Sequence, residues 1–273
     1  MSAQSYGFKF LNQFPYDQNG FNCYSGILEL KTDIFHISNP HSAFRYPMPV
    51  YQLSEDLVFP SPYLASKEGL LAIGGDLGAN RLVLAYSTGI FPWYSEGEPI
   101  LWWSPDPRLV LYPAELKVSR SLKKVFKQDV FEVTMDRAFE EVVTECAQVR
   151  LDNHEGTWIV DDMVQAYCRL HETGLAHSVE AWKDSRLAGG LYGVSLGNCF
   201  FGESMFTRIA NASKVALVAL VEHLKKLDFA FIDCQITTAH LTRFGAREIS
   251  RVHFLDELAE ALKSATRQGK WSF

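Results

Sequence analysis

Between Gly89 and Arg108 the chain carries four prolines, Pro92, Pro99, Pro105 and Pro107, together with three of its six tryptophans, Trp93, Trp102 and Trp103. Proline fixes φ and has no amide proton to donate, so this tract is excluded from a long helix and from a central strand. It is also too aromatic for an ordinary solvated loop. Two uses fit flat rings on a stiff, irregular backbone. They staple a small subdomain onto the main core, or they stack a planar ligand such as a nucleobase. Composition does not choose between these uses, and the choice turns on residues far downstream.

With 273 residues the chain can bury one large core or two modest ones, and length favours two. Its 47% hydrophobic and 21% charged content reads as an ordinary soluble globular protein. A net charge of −6 argues against coating nucleic acid by bulk electrostatics. A binder of a tRNA end or a mononucleotide needs only a local basic patch. No run of residues is apolar for long enough to span a membrane, and the N-terminus lacks a basic head followed by an apolar run. A cytoplasmic protein is therefore expected. The five cysteines, Cys23, Cys146, Cys168, Cys199 and Cys234, are scattered without a CxxC pair. They read as reduced thiols, with neither a disulfide framework nor a zinc site.

Residues 1–47 have no clear period and read as an N-terminal extension. Residues 48–109 read as a small domain containing a tight Gly74-Gly75-Asp76 turn, a short helix over 81–87 and the Trp-rich tract. The remainder, 110–273, alternates helices and strands. A strand is expected over 130–134, then a helix capped by Asp136 and running through Ala147, then a helix over 161–171 ending at Gly174. Strands over 178–182, 186–194 and 199–206 are separated only by Lys183-Asp184-Ser185 and Gly197-Asn198, which makes an antiparallel meander. Asn211 opens a helix over 212–227 whose apolar stripe faces a core. A strand over 229–235 and helices over 238–244 and 252–265 complete an α+β layout, with helices covering a mixed sheet.

The strand ending Ile232-Asp233-Cys234-Gln235 is the first candidate site. Alternation puts Asp233 and Gln235 on one face and turns Cys234 away, so the thiol reads as a buried core group. A carboxylate beside a carboxamide can orient an amine or stabilise a developing charge, or Asp233 simply caps the following turn. Replacing either residue is expected to slow catalysis with little change in stability. Glu203 sits in an aromatic strand next to Gly202, where a bulge fits. Thr157 reads as an N-cap beside Trp158. Arg120, Lys123, Lys124 and Lys127 form the concentrated positive patch ahead of the core. His177 and His223 look isolated, and nothing has metal-ligand spacing.

Six motifs occur in order: Gly-Ile-Phe-Pro-Trp, Trp-Trp-Ser-Pro-Asp-Pro-Arg, Glu-Gly-Thr-Trp-Ile, Gly-Glu-Ser-Met-Phe, Asn-Ala-Ser-Lys and Ile-Asp-Cys-Gln. Together they resemble the bacterial leucyl/phenylalanyl-tRNA–protein transferases over about residues 53–258. The resemblance implies a small N-terminal domain joined to an acetyltransferase-like, GNAT-type fold that uses no coenzyme A. It implies transfer of Leu, Phe or possibly Met from aminoacyl-tRNA to the α-amine of proteins beginning with Arg or Lys, which marks them for N-end rule degradation. Such acyl transfer from an ester to an amine needs no cofactor or metal, and its work is positioning and charge management. Carried over by motif, Trp93 and Trp158 would stack on the 3′-terminal adenosine. Asp233 would orient Gln235 against the attacking amine, and Glu203 would attract the cationic N-terminal residue. Leu191, Phe200, Met205, Leu217, Leu220, Leu224 and Ile232 would line the pocket for the aminoacyl side chain. Arg120, Lys123, Lys124 and Lys127 would meet the tRNA body, and a monomer is expected.

Two rival readings remain. A coenzyme A-dependent acetyltransferase would carry a Gln/Arg-x-x-Gly-x-Gly/Ala loop at a helix start. The nearest approach, Arg186 to Leu191, fails at its last position and falls in an expected strand. A non-enzymatic tRNA-end binder would have no need of the polar pair Asp233 and Gln235.

Overall fold

The computed structural model describes residues 50–152 and 157–273. The extension 1–47, Cys23 and the Glu155-Gly156 half of one motif lie outside them. The Trp-rich tract contributes two strands of a four-stranded sheet, ordered β1 (Tyr51–Leu53), β2 (Leu70–Gly74), β4 (Leu101–Trp103) and β3 (Phe91–Pro92). Pro92 occupies the edge strand, where its missing donor costs no ladder bond. Contrary to the exclusion of a central strand, β4 is interior, because Pro99 and Pro105 flank it and leave its own amides free to pair. Trp102 is fully buried and its indole Nε1 donates to the Gly74 carbonyl at 2.8 Å. This ring is a staple. Gly74 and Gly75 adopt the left-handed φ values, +80° and +73°, that the turn requires, and α1 (Ala79–Ser87) follows.

The larger sheet has seven strands in the order β11 (Arg247–Ile249), β5 (Arg108–Leu111), β10 (Phe231–Asp233), β9 (Cys199–Thr207), β8 (Arg186–Leu196), β7 (Ala176–Lys183) and β6 (Glu132–Met135). All neighbours are antiparallel except β9 and β10, so the sheet is mixed. The meander β7–β8–β9 forms as its turn residues predict. Helix α5 (Ala212–Lys226) covers one face, burying Val215, Leu217, Leu220, Val221 and Leu224. On the other face α3 (Phe139–Asp152), α4 (Asp161–Glu172) and α7 (Arg251–Ala261) bring Phe139, Val142, Tyr167 and Phe254 into a second apolar layer. The basic run forms α2 (Arg120–Lys127), and α6 (Ala239–Arg243) is capped by Thr238. None of the helices among the described residues is long and apolar enough to cross a membrane.

Several local expectations are corrected. Asp136 does not cap α3. Its buried carboxylate accepts from His177 Nδ1 and the Ser178 amide at 2.8 Å, and from the Trp271 amide at 2.6 Å. His177 is therefore not isolated, and it stacks on Trp271 with ring centroids 3.8 Å apart. The Trp271 ring also approaches His223, centroid to centroid 5.6 Å. Thr157 caps nothing; its hydroxyl accepts from the Ile159 amide two residues on, while Val160 is the residue ahead of α4. The strand expected over 229–235 shortens to Phe231–Asp233. Strands β5 and β11 were not read from the sequence because their pairing partners are distant in the chain.

Candidate active site

The short strand β10 owes its end to a buried ion pair. Arg108, the last residue of the Trp-rich tract and the first of β5, grips Asp233 with Nε to Oδ1 at 2.8 Å and Nη2 to Oδ2 at 2.6 Å. Both side chains are sealed from solvent. The guanidinium is further held between the Phe91 and Phe254 rings, 4.9 and 4.4 Å from their centroids, and donates to the Gly89 carbonyl. Arg108 closes the Trp-Trp-Ser-Pro-Asp-Pro-Arg motif, and its role emerges only in the fold. A buried carboxylate demands a partner, and a lone arginine closing a Pro-rich tract is the signal that could have named one.

Beyond Asp233 the backbone turns. Gln235 has φ +53°, a left-handed conformation uncommon for a residue with a Cβ. Its amide donates to Asp233 Oδ1 at 2.9 Å, and its carbonyl accepts from the Leu109 amide. Asp233 thus holds the Gln235 backbone, not its carboxamide. Strand alternation does not extend to Gln235, yet the turn still delivers its side chain toward Glu203, with Nε2 3.4 Å from Oε1.

Glu203 reaches this point through a bulge. In the β8–β9 ladder Tyr192 pairs with Ser204 and Gly193 with Gly202, which leaves Glu203 as the extra residue. Its Oε2 accepts from the Tyr167 hydroxyl at 2.7 Å, and that hydroxyl lies 2.5 Å from the hydroxyl of Tyr86 on α1. Tyr192 stands beside Tyr167, ring centroids 5.3 Å apart, and its buried hydroxyl has no partner among the described residues. Part of Glu203 stays open to solvent, but its carboxyl group is enclosed by these tyrosines. That burial pushes its pKa up to about 7 against the pull of the tyrosine hydrogen bonds. Burial, reinforced by the charge of Glu203, holds all three phenols well above the usual range, so they remain protonated donors. Tyr86 and Tyr167 were missed in the sequence because each lies inside a helix whose apolar stripe accounts for it.

The parallel β9–β10 ladder ends at Phe201 opposite Asp233, while β9 continues to Thr207. Gly202, Glu203, Ser204 and Met205 are only partly buried there. This leaves an opening in the ladder between β9 and the turn at Gln235. Glu203 and Gln235 stand at its mouth. On the α5 face Leu191, Phe200, Leu217, Leu220, Leu224 and Ile232 form one buried apolar cluster, with Met205 packed at its partly exposed margin. Ile232 joins this cluster on the face opposite Asp233. Cys234 is buried in the same cluster with its thiol pKa driven up by burial, as expected for a core group.

Trp93 is 39% exposed, its ring 5.8 Å from that of Trp103, whose Nε1 donates to the Trp93 carbonyl at 2.7 Å. Trp158 is half-buried against the core. Burial, followed by the charge of Asp162 in the first turn of α4, raises the Tyr94 pKa. Arg120, Lys123, Lys124 and Lys127 are all exposed and form no ion pair among the described residues.

Known proteins match this chain along most of its length. Residues 110–259 match the family described as leucyl/phenylalanyl-tRNA protein transferase, and residues 75–106 match the N-terminal domain of the same family. A leucyl/phenylalanyl-tRNA–protein transferase of Syntrophobacter fumaroxidans is 60% identical over 224 residues, 82% of this chain and 96% of the relative. That of Desulfatibacillum aliphaticivorans is 60% identical over 82% of this chain and 97% of its own length. The Myxococcus xanthus protein of the same name is 55% identical with the same coverage. With family matches on both sides of Arg108 and relatives aligned almost end to end, the chain belongs to the leucyl/phenylalanyl-tRNA–protein transferase family.

Proposed function

We propose that the opening between β9 and Gln235 is where Leu or Phe passes from its tRNA to the α-amine of a protein beginning with Arg or Lys, marking that protein for degradation in the cytoplasm. The observation that carries this reading is the meeting of Glu203, Gln235 and the Arg108-clamped Asp233 at the end of one ladder. Gln235 positions the attacking amine. Glu203 draws the cationic N-terminal residue, and Met205 with the α5-face cluster receives the aminoacyl side chain. The small domain of residues 48–109 supplies Trp93, and the catalytic domain of 110–273 supplies Trp158, for the terminal adenosine. A parallel pair that opens at its end, inside an otherwise antiparallel sheet, supports an acetyltransferase-like arrangement. The stretch nearest to a coenzyme A loop, Arg186 to Leu191, lies wholly within β8. The enzyme acts as a monomer in this reading.

Incubation with labelled Leu-tRNA and a protein beginning with Arg, scoring label in protein, tests the reaction. Acceptors beginning with Arg or Lys should outcompete otherwise identical ones beginning with Ala, because an enclosed carboxylate favours a cationic partner. Equal labelling of all three would remove Glu203 from acceptor selection.

Binding of the tRNA end is checked separately. Trp93→Ala or Trp158→Ala should weaken aminoacyl-tRNA binding by about 1–3 kcal/mol, the worth of one base–aromatic stack, and Phe should recover part of it. Lys123→Ala with Lys124→Ala should instead flatten the salt dependence of binding. A puromycin-like aminoacyl-adenosine, lacking the tRNA body, should feel the tryptophan changes fully and the lysine changes hardly at all. Equal sensitivity to both sets would contradict this division of labour.

A further inference from the structure

We propose that Glu203 takes the proton released by the attacking α-amine, and that the Tyr86–Tyr167 hydroxyl pair holds its carboxylate in place to do so. This rests on the aminoacyl-transfer reading and assigns the one step that reading leaves open, the fate of the proton. Asp233 is not free to take it: both its oxygens are committed to Arg108, and one also serves the Gln235 amide. Gln235 offers a carboxamide, a poor base, and its Nε2 end is the one turned toward Glu203. Cys199 and Cys234 are buried thiols whose pKa values are raised, so neither supplies a thiolate.

Glu203 differs from all of these. Tyr167 has a single hydroxyl proton, and giving it to Oε2 makes its oxygen the acceptor for Tyr86. That chain holds Oε2, Tyr86 also acts directly on the carboxylate, and Oε1 takes the long contact from Gln235. The charged and titratable groups around the carboxylate are Tyr86 from α1, Tyr167 from α4, Tyr192 from β8, Asp233 from β10 and Arg108 from β5. Asp233 and Arg108 act on it in opposite senses, so enclosure decides its proton affinity, which lies close to neutral. A base poised near the working pH both accepts and returns a proton readily.

In the step itself the neutral α-amine adds through its nitrogen lone pair to the acyl carbon of the ester, and the nitrogen's proton passes to Oε1. The bond from carbon to the ribose oxygen then breaks, its electron pair leaves on that oxygen, and the proton on Glu203 follows. An ester and an amine become an amide and a ribose hydroxyl, with Glu203 restored as carboxylate.

Single-turnover transfer from Leu-tRNA to a protein beginning with Arg, followed between about pH 5.5 and 9, should rise through two limbs, one from Glu203 and one from the acceptor amine. Glu203→Gln should lower kcat by about 10²–10⁴-fold and erase the lower limb. Tyr167→Phe removes a donor to the ionised carboxylate, so it should shift that limb to higher pH and leave the amine limb alone. Tyr86→Phe should shift it the same way, less far. A folded Glu203→Gln enzyme that keeps both limbs, or whose loss lies wholly in KM, overturns the proposal, as does a Tyr167→Phe profile that does not move. Wild-type enzyme that labels no acceptor at any pH strikes the aminoacyl-transfer reading itself and takes the proposal with it.

Discussion

Asp233→Ala is expected to lower the melting temperature by roughly 10 °C and to abolish transfer, both through Arg108. Removing one partner of a buried ion pair leaves the other charge without compensation, at a cost of about 3–5 kcal/mol. For a chain of this size each kcal/mol is worth about 2–4 °C. The paired residues lie 125 positions apart, one beginning β5 and the other ending β10, so the stranded guanidinium also loosens the strand end that presents Gln235. This corrects the expectation of unchanged stability that the residue's place at a strand end suggested. Replacing both partners, Arg108→Leu with Asp233→Leu, should recover much of the stability, because no charge is then left buried, while transfer stays lost. Thermal denaturation of the single and double variants decides the matter. A single variant melting within about 2 °C of the parent would show that the pair does not hold this part of the sheet.

Gln235→Ala should behave in the opposite way, slowing transfer about a hundredfold, or ~3 kcal/mol in the barrier, with the melting temperature nearly unchanged. Among the described residues the side chain's hydrogen bond is the long one to Glu203, so folding loses little. What the fold maintains is the backbone turn, and that is secured by the Asp233 carboxylate and the Leu109 amide. Gln235→Gly sharpens the comparison. Glycine adopts φ near +53° without steric cost, so this variant should melt no lower than the alanine variant and should still be as slow. Single-turnover rates and melting curves on the three proteins suffice. A glycine or alanine variant that transfers Leu at the parental rate would remove Gln235 from the site.

The meander was legible because it is local. Turn residues at Lys183-Asp184-Ser185 and Gly197-Asn198 join strands whose partners are adjacent in the chain, and the observed β7, β8 and β9 extend the expected spans by only a residue or two. The stripe of α5 was legible for the same reason. The bulge near Gly202 could be anticipated, since a residue without a Cβ marks such a break, and the resemblance drew Asp233, Gln235 and Glu203 together by motif.

What surrounds those residues belongs to the tertiary structure. The Arg108–Asp233 pair joins distant strands, and the Tyr86–Tyr167 contact joins helices 81 residues apart. In the sequence each such residue has an adequate local explanation: an arginine after prolines, a tyrosine on a helix's apolar face. Asp136 shows the same limit. Its position before a helix reads as a cap, but its carboxylate is spent on His177, Ser178 and Trp271. Short-range pattern determines which segments become strands and helices because propensity and amphipathic period act over a few residues. Which polar groups must share a buried space is decided only when distant segments close on one another, because the desolvation that forces them to pair does not exist until water has left.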